Sequence, residues 1–417
     1  MNIMKDSGAK WIGEIPTHWK SDKLKYHLQR KEPKNPGDMT VLSLYRELGV
    51  IPKDSRDDNH NMTSEDTSKY KYVKPGNFVV NKMKAWQGSV AVSDYEGIVS
   101  PAYYVYEFTD NLYHRRYFHY LLRGCYKDEF MRLSGGMRVG QWDLSSEDLD
   151  NTLVIIPPID EQREIAEFLD NKCEEVDGLI ADIQTQIDAL EQYKRSTITE
   201  TVTKGLNPTA EMKDSNIQWV GKIPAHWVQH PLYYYFIEHK HKNFLGEENN
   251  LLSLSYGKII RKDINTDEGL LPDNFNSYNI IDKNDIVLRL TDLQNDKRSL
   301  RTGLASERGI ITSAYLTLRS TKKINAQYFY YLLHVYDLMK VLYNMGSGVR
   351  QGLNYEELSK MMLIEPPIDE QKSIANYLDK KCAEIDACIE EKKQQISVLE
   401  TYKKSIIFEY VTGKKEV

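Results

Sequence analysis

Two stretches of this 417-residue chain repeat each other at a fixed distance, and that repeat limits what the chain can fold into. Pro157-Pro158-Ile159-Asp160-Glu161-Gln162 returns 209 residues later as Pro366-Pro367-Ile368-Asp369-Glu370-Gln371. The register then holds, with Cys173 matching Cys382, Leu190 matching Leu399 and Tyr193 matching Tyr402. A constant offset over that length means one unit written twice. Each unit is a body followed by a long segment of a different character.

That segment reads as a helix. Asp160 suits an N-cap, with acidic residues in the first turn. Apolar residues then recur at spacings of three and four: Leu169, Cys173, Val176, Ile180, Ile183, Ile187 and Leu190. The second copy answers with Leu378, Cys382, Ile385, Ile389, Ile396 and Leu399, but places Lys392 where Ile183 stands in the first. No proline interrupts either run. The pattern is a coiled-coil seam sustained over several heptads. A helix over 158–202 would extend about 65 Å at 1.5 Å per residue. So narrow an apolar stripe needs a partner, and the other copy is the obvious one. The alternative is an amphipathic helix packed on its own domain, which usually stops well short of this length.

Charge is divided between the two kinds of segment. Residues 160–191 hold eleven acidic and two basic side chains, and residues 369–400 hold eight and five. Against an overall charge of −6, everything outside those helices is therefore net basic. The global value alone would argue against a nucleic-acid partner; its distribution does not. No apolar run approaches the roughly 20 residues of a membrane span, and the N-terminal residues lack the apolar core of a signal peptide. Cys125, Cys173, Cys382 and Cys388 form no Cys-x-x-Cys pair, and two fall in the helix seams. Buried thiols in a reducing cytoplasm are expected, with no metal site and no membrane association.

Each body opens on one signature: Trp11-Ile12-Gly13-Glu14-Ile15-Pro16-Thr17-His18-Trp19, then Trp219-Val220-Gly221-Lys222-Ile223-Pro224-Ala225-His226-Trp227. Two tryptophans bracketing a glycine and a proline suit a turn pinned by aromatic packing. His18 and His226 have no carboxylate or cysteine at metal-site spacing, so a structural role is expected. Strand-like segments follow at 41–46 and 252–256. Residues 68–92 then carry five lysines and no acidic residue. Within them, Lys82, Lys84, Trp86 and Gln87 interleave cations, an aromatic and an amide, a mixture that binds phosphates and base edges. The plainer alternative is a solvated strand end and turn. At the matching place the second body reads Arg289, Thr291, Gln294 and Arg298 on similar flanks.

Both bodies reconverge at Gly97–Tyr103 and Gly309–Tyr315, and an aromatic-rich helix is expected after each. A glycine-rich loop with one arginine precedes each long helix, carrying Arg138 in the first copy and Arg350 in the second. Glycine allows close backbone approach, and arginine is the commonest specific reader of guanine. A plain turn is the alternative. No Gly-Lys-Ser/Thr follows, so a nucleotide phosphate loop is not indicated.

Taken together, the doubled Pro-Pro-x-x-Glu-Gln helix openings, the Gly-Ile-x-Ser/Thr-Pro/Ser-Ala-Tyr segments and the Trp-x-Gly-x-Ile-Pro-x-His-Trp signatures resemble the specificity subunit of type I restriction–modification systems. The likeness spans essentially the whole chain. It implies an α+β architecture with an internal pseudo-twofold repeat. Two similar globular α/β target recognition domains, at 1–157 and 207–366, would each be followed by a spacer helix, at 158–206 and 367–417. The two helices would pair as an antiparallel coiled coil.

The resemblance also implies a function without catalysis in this chain. Each body would read one half of a split, asymmetric sequence in double-stranded DNA. Lys82, Lys84, Trp86, Gln87 and Arg138 would contact the first half-site; Arg289, Thr291, Gln294, Arg298 and Arg350 would contact the second. The helices would space the bodies and dock two methyltransferase subunits, with motor-endonuclease subunits joining them. No cofactor is expected in this chain; S-adenosylmethionine, ATP and Mg2+ would be used on the other subunits. Two rival classes are an acidic coiled-coil scaffold that never touches DNA and a self-sufficient methylase or nuclease. The sequence offers the second of these no Asn/Asp-Pro-Pro-Tyr/Phe methylase motif, no Walker loop and no His-Glu-x-x-His.

Overall fold

The computed structural model describes residues 3–46, 48–55, 63–64, 66–136, 142–264, 274–291, 293, 300–345 and 352–417. The chain divides into two compact units, Met1–Ile183 with Lys393–Val417, and Gln184–Lys392. The division cuts both long helices, Ile159–Lys204 and Ile368–Val411. Each unit therefore holds one body, the start of the helix that follows it and the end of the other helix.

In the first unit an antiparallel sheet runs in the order Leu28–Lys31, Tyr103–Phe108, Phe78–Asn81, Val90–Val92. The second unit repeats the order with Phe236–Glu238, Leu316–Ser320, Ile286–Leu288 and Thr302–Leu304. Side chains alternate across a strand, so these short strands feed two cores at once. Phe78, Val80, Val90 and Tyr106 face the aromatic helix Arg115–Cys125 and its Tyr117, Phe118, Leu121 and Leu122. Val79, Ala91 and Val105 face the other way, against Leu42, Leu44 and Val50 of the hairpin Leu42–Tyr45/Gly49–Pro52. In the second unit Ile286, Leu288 and Leu318 pack towards the helix Ala326–Leu338, and Val287 packs towards Leu252 of the hairpin Leu252–Ser255/Lys258–Arg261.

The repeated motifs meet each other. His18 Nε2 and Trp19 Nε1 reach the two carboxylate oxygens of Glu161 at 2.8 Å each. In the second unit His226 Nε2 and Trp227 Nε1 reach Glu370 Oε2 at 2.8 and 3.1 Å. The histidines are thus structural partners of the helix opening. The neighbouring glutamine is fully enclosed in both copies. Gln162 donates to the carbonyls of Pro157 and Leu112 and accepts from the His114 N–H. Gln371 donates to the Pro366 carbonyl and accepts from the Asn325 N–H. Each Glu-Gln pair therefore ties the long helix to the body's opening loop and to the N-terminus of its aromatic helix. The long helices begin at Ile159 and Ile368, so Asp160 and Asp369 sit in the first turn and do not cap it.

The helices pair antiparallel, as seen within each unit separately. In the first unit Lys403 Nζ meets Asp177 at 2.6 and 2.7 Å, and the rings of Phe168 and Tyr410 lie 4.4 Å apart. In the second, Lys194 Nζ meets Asp386 at 2.6 Å and Lys392 Nζ meets Gln186 at 2.5 Å. Lys194 and Lys403 are equivalent positions, as are Asp177 and Asp386, so one contact is made reciprocally, as in an isologous dimer. Leu169, Val176, Ile187, Leu378, Ile385 and Ile389 are buried; Ile180, Ile183, Leu190, Ile396 and Leu399 are half-buried. Cys125, Cys173 and Cys382 are buried free thiols, while Cys388 is exposed.

Candidate nucleic-acid interface

In the first unit the basic turn follows the inner strand Phe78–Asn81. A short 3-10 turn, Ala85–Gln87, ends at Gly88 with φ of +88°, a conformation glycine adopts without penalty. Around it the two sequence segments expected to touch DNA converge. The Lys82 carbonyl accepts from the Leu144 N–H at 2.9 Å, and Gly135 and Asp143 exchange backbone hydrogen bonds at 3.0 and 3.1 Å. The two ends of the glycine-rich loop are thereby fastened beside Lys82, whose Nζ donates to Asp143 Oδ2 at 3.0 Å. The Trp86 indole packs edge-on against Trp142, with centroids 5.6 Å apart, and donates to the Met83 carbonyl. Lys84 is exposed. Gln87 Oε1 accepts from Arg46, at the tip of the hairpin. Arg138 lies outside the described residues.

The second unit repeats the fastening with different side chains. The Leu353 N–H donates to the Leu290 carbonyl at 3.0 Å, the counterpart of the Leu144–Lys82 bond. Arg289 is half-buried and Thr291 exposed; Gln294, Arg298 and Arg350 lie outside the described residues. The turn is held from within by Arg301, which is 0% exposed. Its Nη1 donates to the carbonyls of Arg289 at 3.1 Å and Thr291 at 2.8 Å, and its Nε donates to the Tyr343 hydroxyl at 3.1 Å. The Arg301 N–H donates to Asp337 Oδ2 at 2.7 Å. Sequence reasoning missed Arg301, because it stands in a run of basic and polar residues with nothing to mark it as internal. It also missed Arg46, which joins the first turn only across the fold.

Among the described residues one group of metal-ligating side chains comes together: His239, Asp282 and Asp285, with ligand atoms within 4.8 Å of one another. Arg319 already supplies the cation, donating to Asp282 at 2.7 Å and to Asp285 at 2.5 and 2.8 Å. Burial pulls the Asp282 carboxyl up, but Arg319 and Arg308 outweigh it and hold it below its usual range. Burial and then Arg319 push the His239 imidazole down. An ion pair network accounts for this cluster. No described helix is long and apolar enough to cross a membrane.

Comparisons with known proteins agree on one family. The family model described as type I restriction modification DNA specificity domain matches residues 27–192 and 256–400. The chain is 24% identical over 439 residues to the putative type I restriction enzyme MjaX specificity subunit of Methanocaldococcus jannaschii, covering 97% of this chain and 96% of that one. It is 26% identical over 379 residues to the type I restriction enzyme MjaVIII specificity subunit of the same organism, covering 83% of each. Among solved structures, a chain from a study of complex assembly and conformational transition of the type I R-M system superposes with a TM-score of 0.69 at 15% identity, covering 96% of this chain and 99% of that one. The HsdS subunit from Thermoanaerobacter tengcongensis superposes with a TM-score of 0.50 at 14% identity, covering 96% and 98%. With both repeats matched, this chain belongs to the type I restriction–modification DNA specificity family.

Proposed function

We propose that this chain is the non-catalytic DNA-recognition subunit of a type I restriction–modification complex, reading a split, asymmetric target with one half-site per body. Residues 1–157 and 207–366 are the reading bodies, and 158–206 and 367–417 the spacer helices. The observation that carries this reading is the doubled turn. After the same inner strand of each sheet (Phe78–Asn81, Ile286–Leu288), one backbone hydrogen bond (Leu144 to Lys82, Leu353 to Leu290) fixes the same frame, while the side chains set on it differ. A common frame with different donors and cations suits two readers of different sequences. Lys82, Lys84, Trp86, Gln87 and Arg138 serve the first half-site; Arg289, Thr291, Gln294, Arg298 and Arg350 serve the second.

The helices offer acidic faces that repel DNA and suit protein partners: two methyltransferase subunits, with motor-endonuclease subunits added. S-adenosylmethionine, ATP and Mg2+ act on those subunits, and the complex works in the cytoplasm, where the DNA is. Mapping methylated adenines genome-wide, with and without this chain, tests the reading. A split motif present only with the chain is expected; an unchanged methylation pattern sinks it.

A further inference from the structure

The hairpin of the second body turns on a residue that its backbone disfavours. Ser255 pairs with Lys258, leaving Tyr256-Gly257 as a two-residue turn with φ of +45° and +79°. Positive φ at both central positions is the mirror-image turn that favours Asn, Asp or Gly at the first of them. A tyrosine there strains the backbone, and such strain persists where something other than stability retains it. Packing does not explain it. Tyr256 is 82% exposed, and among the described residues its ring stacks on nothing and its hydroxyl has no partner.

The turn is nevertheless fixed from beneath. The Tyr330 hydroxyl, on the aromatic helix, donates to the Gly257 carbonyl at 3.0 Å. Gly257 lies so close to Leu300 that a Cβ would stand 3.2 Å from the Leu300 side chain. Leu300 is followed by Arg301, which holds the carbonyls of Arg289 and Thr291. The hairpin tip and the candidate reading turn are thus neighbours on one rigid support.

The first body makes the same arrangement with other side chains. Its tip begins at Arg46, whose carbonyl accepts from Arg123 of the aromatic helix and whose guanidinium donates to Gln87 of the reading turn. Lys258 lies exposed on the second strand of the Tyr256 hairpin and Lys262 lies exposed just beyond its end, a charge suited to a polyanion.

We propose that the hairpin tips are a second DNA-contacting element beside each reading turn, carried by Tyr256 in the second body and by Arg46 in the first. This rests on the reading of the bodies as DNA readers. Tyr256 presents an apolar ring face and a hydroxyl that donates and accepts, fitting a thymine methyl, a sugar or a base edge in a groove. Arg46 presents a guanidinium to a base edge or a phosphate.

Tyr256→Asn tests this without risk to the fold, because asparagine tolerates the left-handed conformation. The full-length chain, assembled with methyltransferase subunits, is used to select from a library of randomised DNA duplexes, and the selected duplex is then titrated. Tyr256→Asn is expected to keep or raise the unfolding temperature, to weaken binding roughly tenfold and to relax base preference in one half-site only. Arg46→Ala should relax the other half-site. An unchanged motif and affinity for Tyr256→Asn overturns the hairpin element and leaves the DNA-reading function standing. Loss of methyltransferase subunits from the complex with unchanged DNA preference assigns the tip to a protein contact and also overturns it. If the unsubstituted chain selects no split motif, the function itself fails, and the hairpin element with it.

Discussion

Glu161 binds two side chains of the opening signature at once, and the enclosed one decides what its loss costs. The Trp19 ring is buried, and its indole N–H donates to Glu161 at 2.8 Å. Glu161→Ala leaves that donor without its acceptor, which costs about 1–2 kcal/mol. Glu161→Gln retains an acceptor oxygen and should recover most of the loss; urea unfolding of the two variants compares them. A second test concerns protons. Burial, with Lys194 and Arg195 adding to it, pushes the His334 imidazole down to about 4. The unfolded chain therefore binds this proton more readily than the folded one. Stability contributed here is intact above about pH 6.5, the ordinary histidine value, and is lost as pH falls towards 4. His334→Phe keeps a ring beside Tyr330, which stacks on His334 at 6.0 Å, and should flatten the stability–pH slope in that window. An unaltered slope in thermal unfolding across pH 4–7 would remove His334 from the account.

At the scale of elements, the long helices were legible in the sequence and the joints between elements were not. Spacings of three and four from Leu169 to Leu190 are enough to define a helix, because its apolar stripe is a local property of the chain. The doubled Glu-Gln was visible as a repeat, but its work is done 143 residues away in His18, and no spacing rule connects them. The same limit explains the reading turns. Lys82 and Trp86 could be found by residue type, whereas Arg301 is a cation turned inward and Arg46 reaches its turn only through the hairpin. Several helix carboxylates that counted towards an acidic outer face are also engaged within the units. Asp170 binds Arg116 and the Tyr120 hydroxyl, and Asp379 binds Gln327 and the Tyr331 hydroxyl. The seam itself offers a comparison. Ile187 is 3% exposed, so Ile187→Ala should cost about 2–4 kcal/mol. Lys392→Leu, at a half-buried seam position where the other copy has Ile183, should be neutral or stabilising by about 1 kcal/mol. Guanidinium unfolding of both variants would show whether the lysine weakens the seam.

For the whole molecule, the repeat makes the chain close on itself. Gly205, at the end of the central helix, packs against Trp227 and Pro224 of the next signature. Gly413, at the end of the other helix, packs against Pro16 and Trp19 of the first. Tyr117 donates to the Val411 carbonyl at 2.8 Å, and Ile406 and Val411 lie in the core built around Trp19. Removing residues 406–417 should therefore loosen the first unit and spare the second, although the deletion lies far from the first body in sequence. Hydrogen exchange should lose protection in 115–125 and keep it in 326–338; equal losses in both helices would contradict the division. The closure also sets an order of events during synthesis. The second unit is one continuous stretch, 184–392, and is complete as soon as it leaves the ribosome. The first body emerges earlier yet lacks the apolar plug of Ile406 and Val411 until residues 406–411 are made. The half translated first is thus the half finished last.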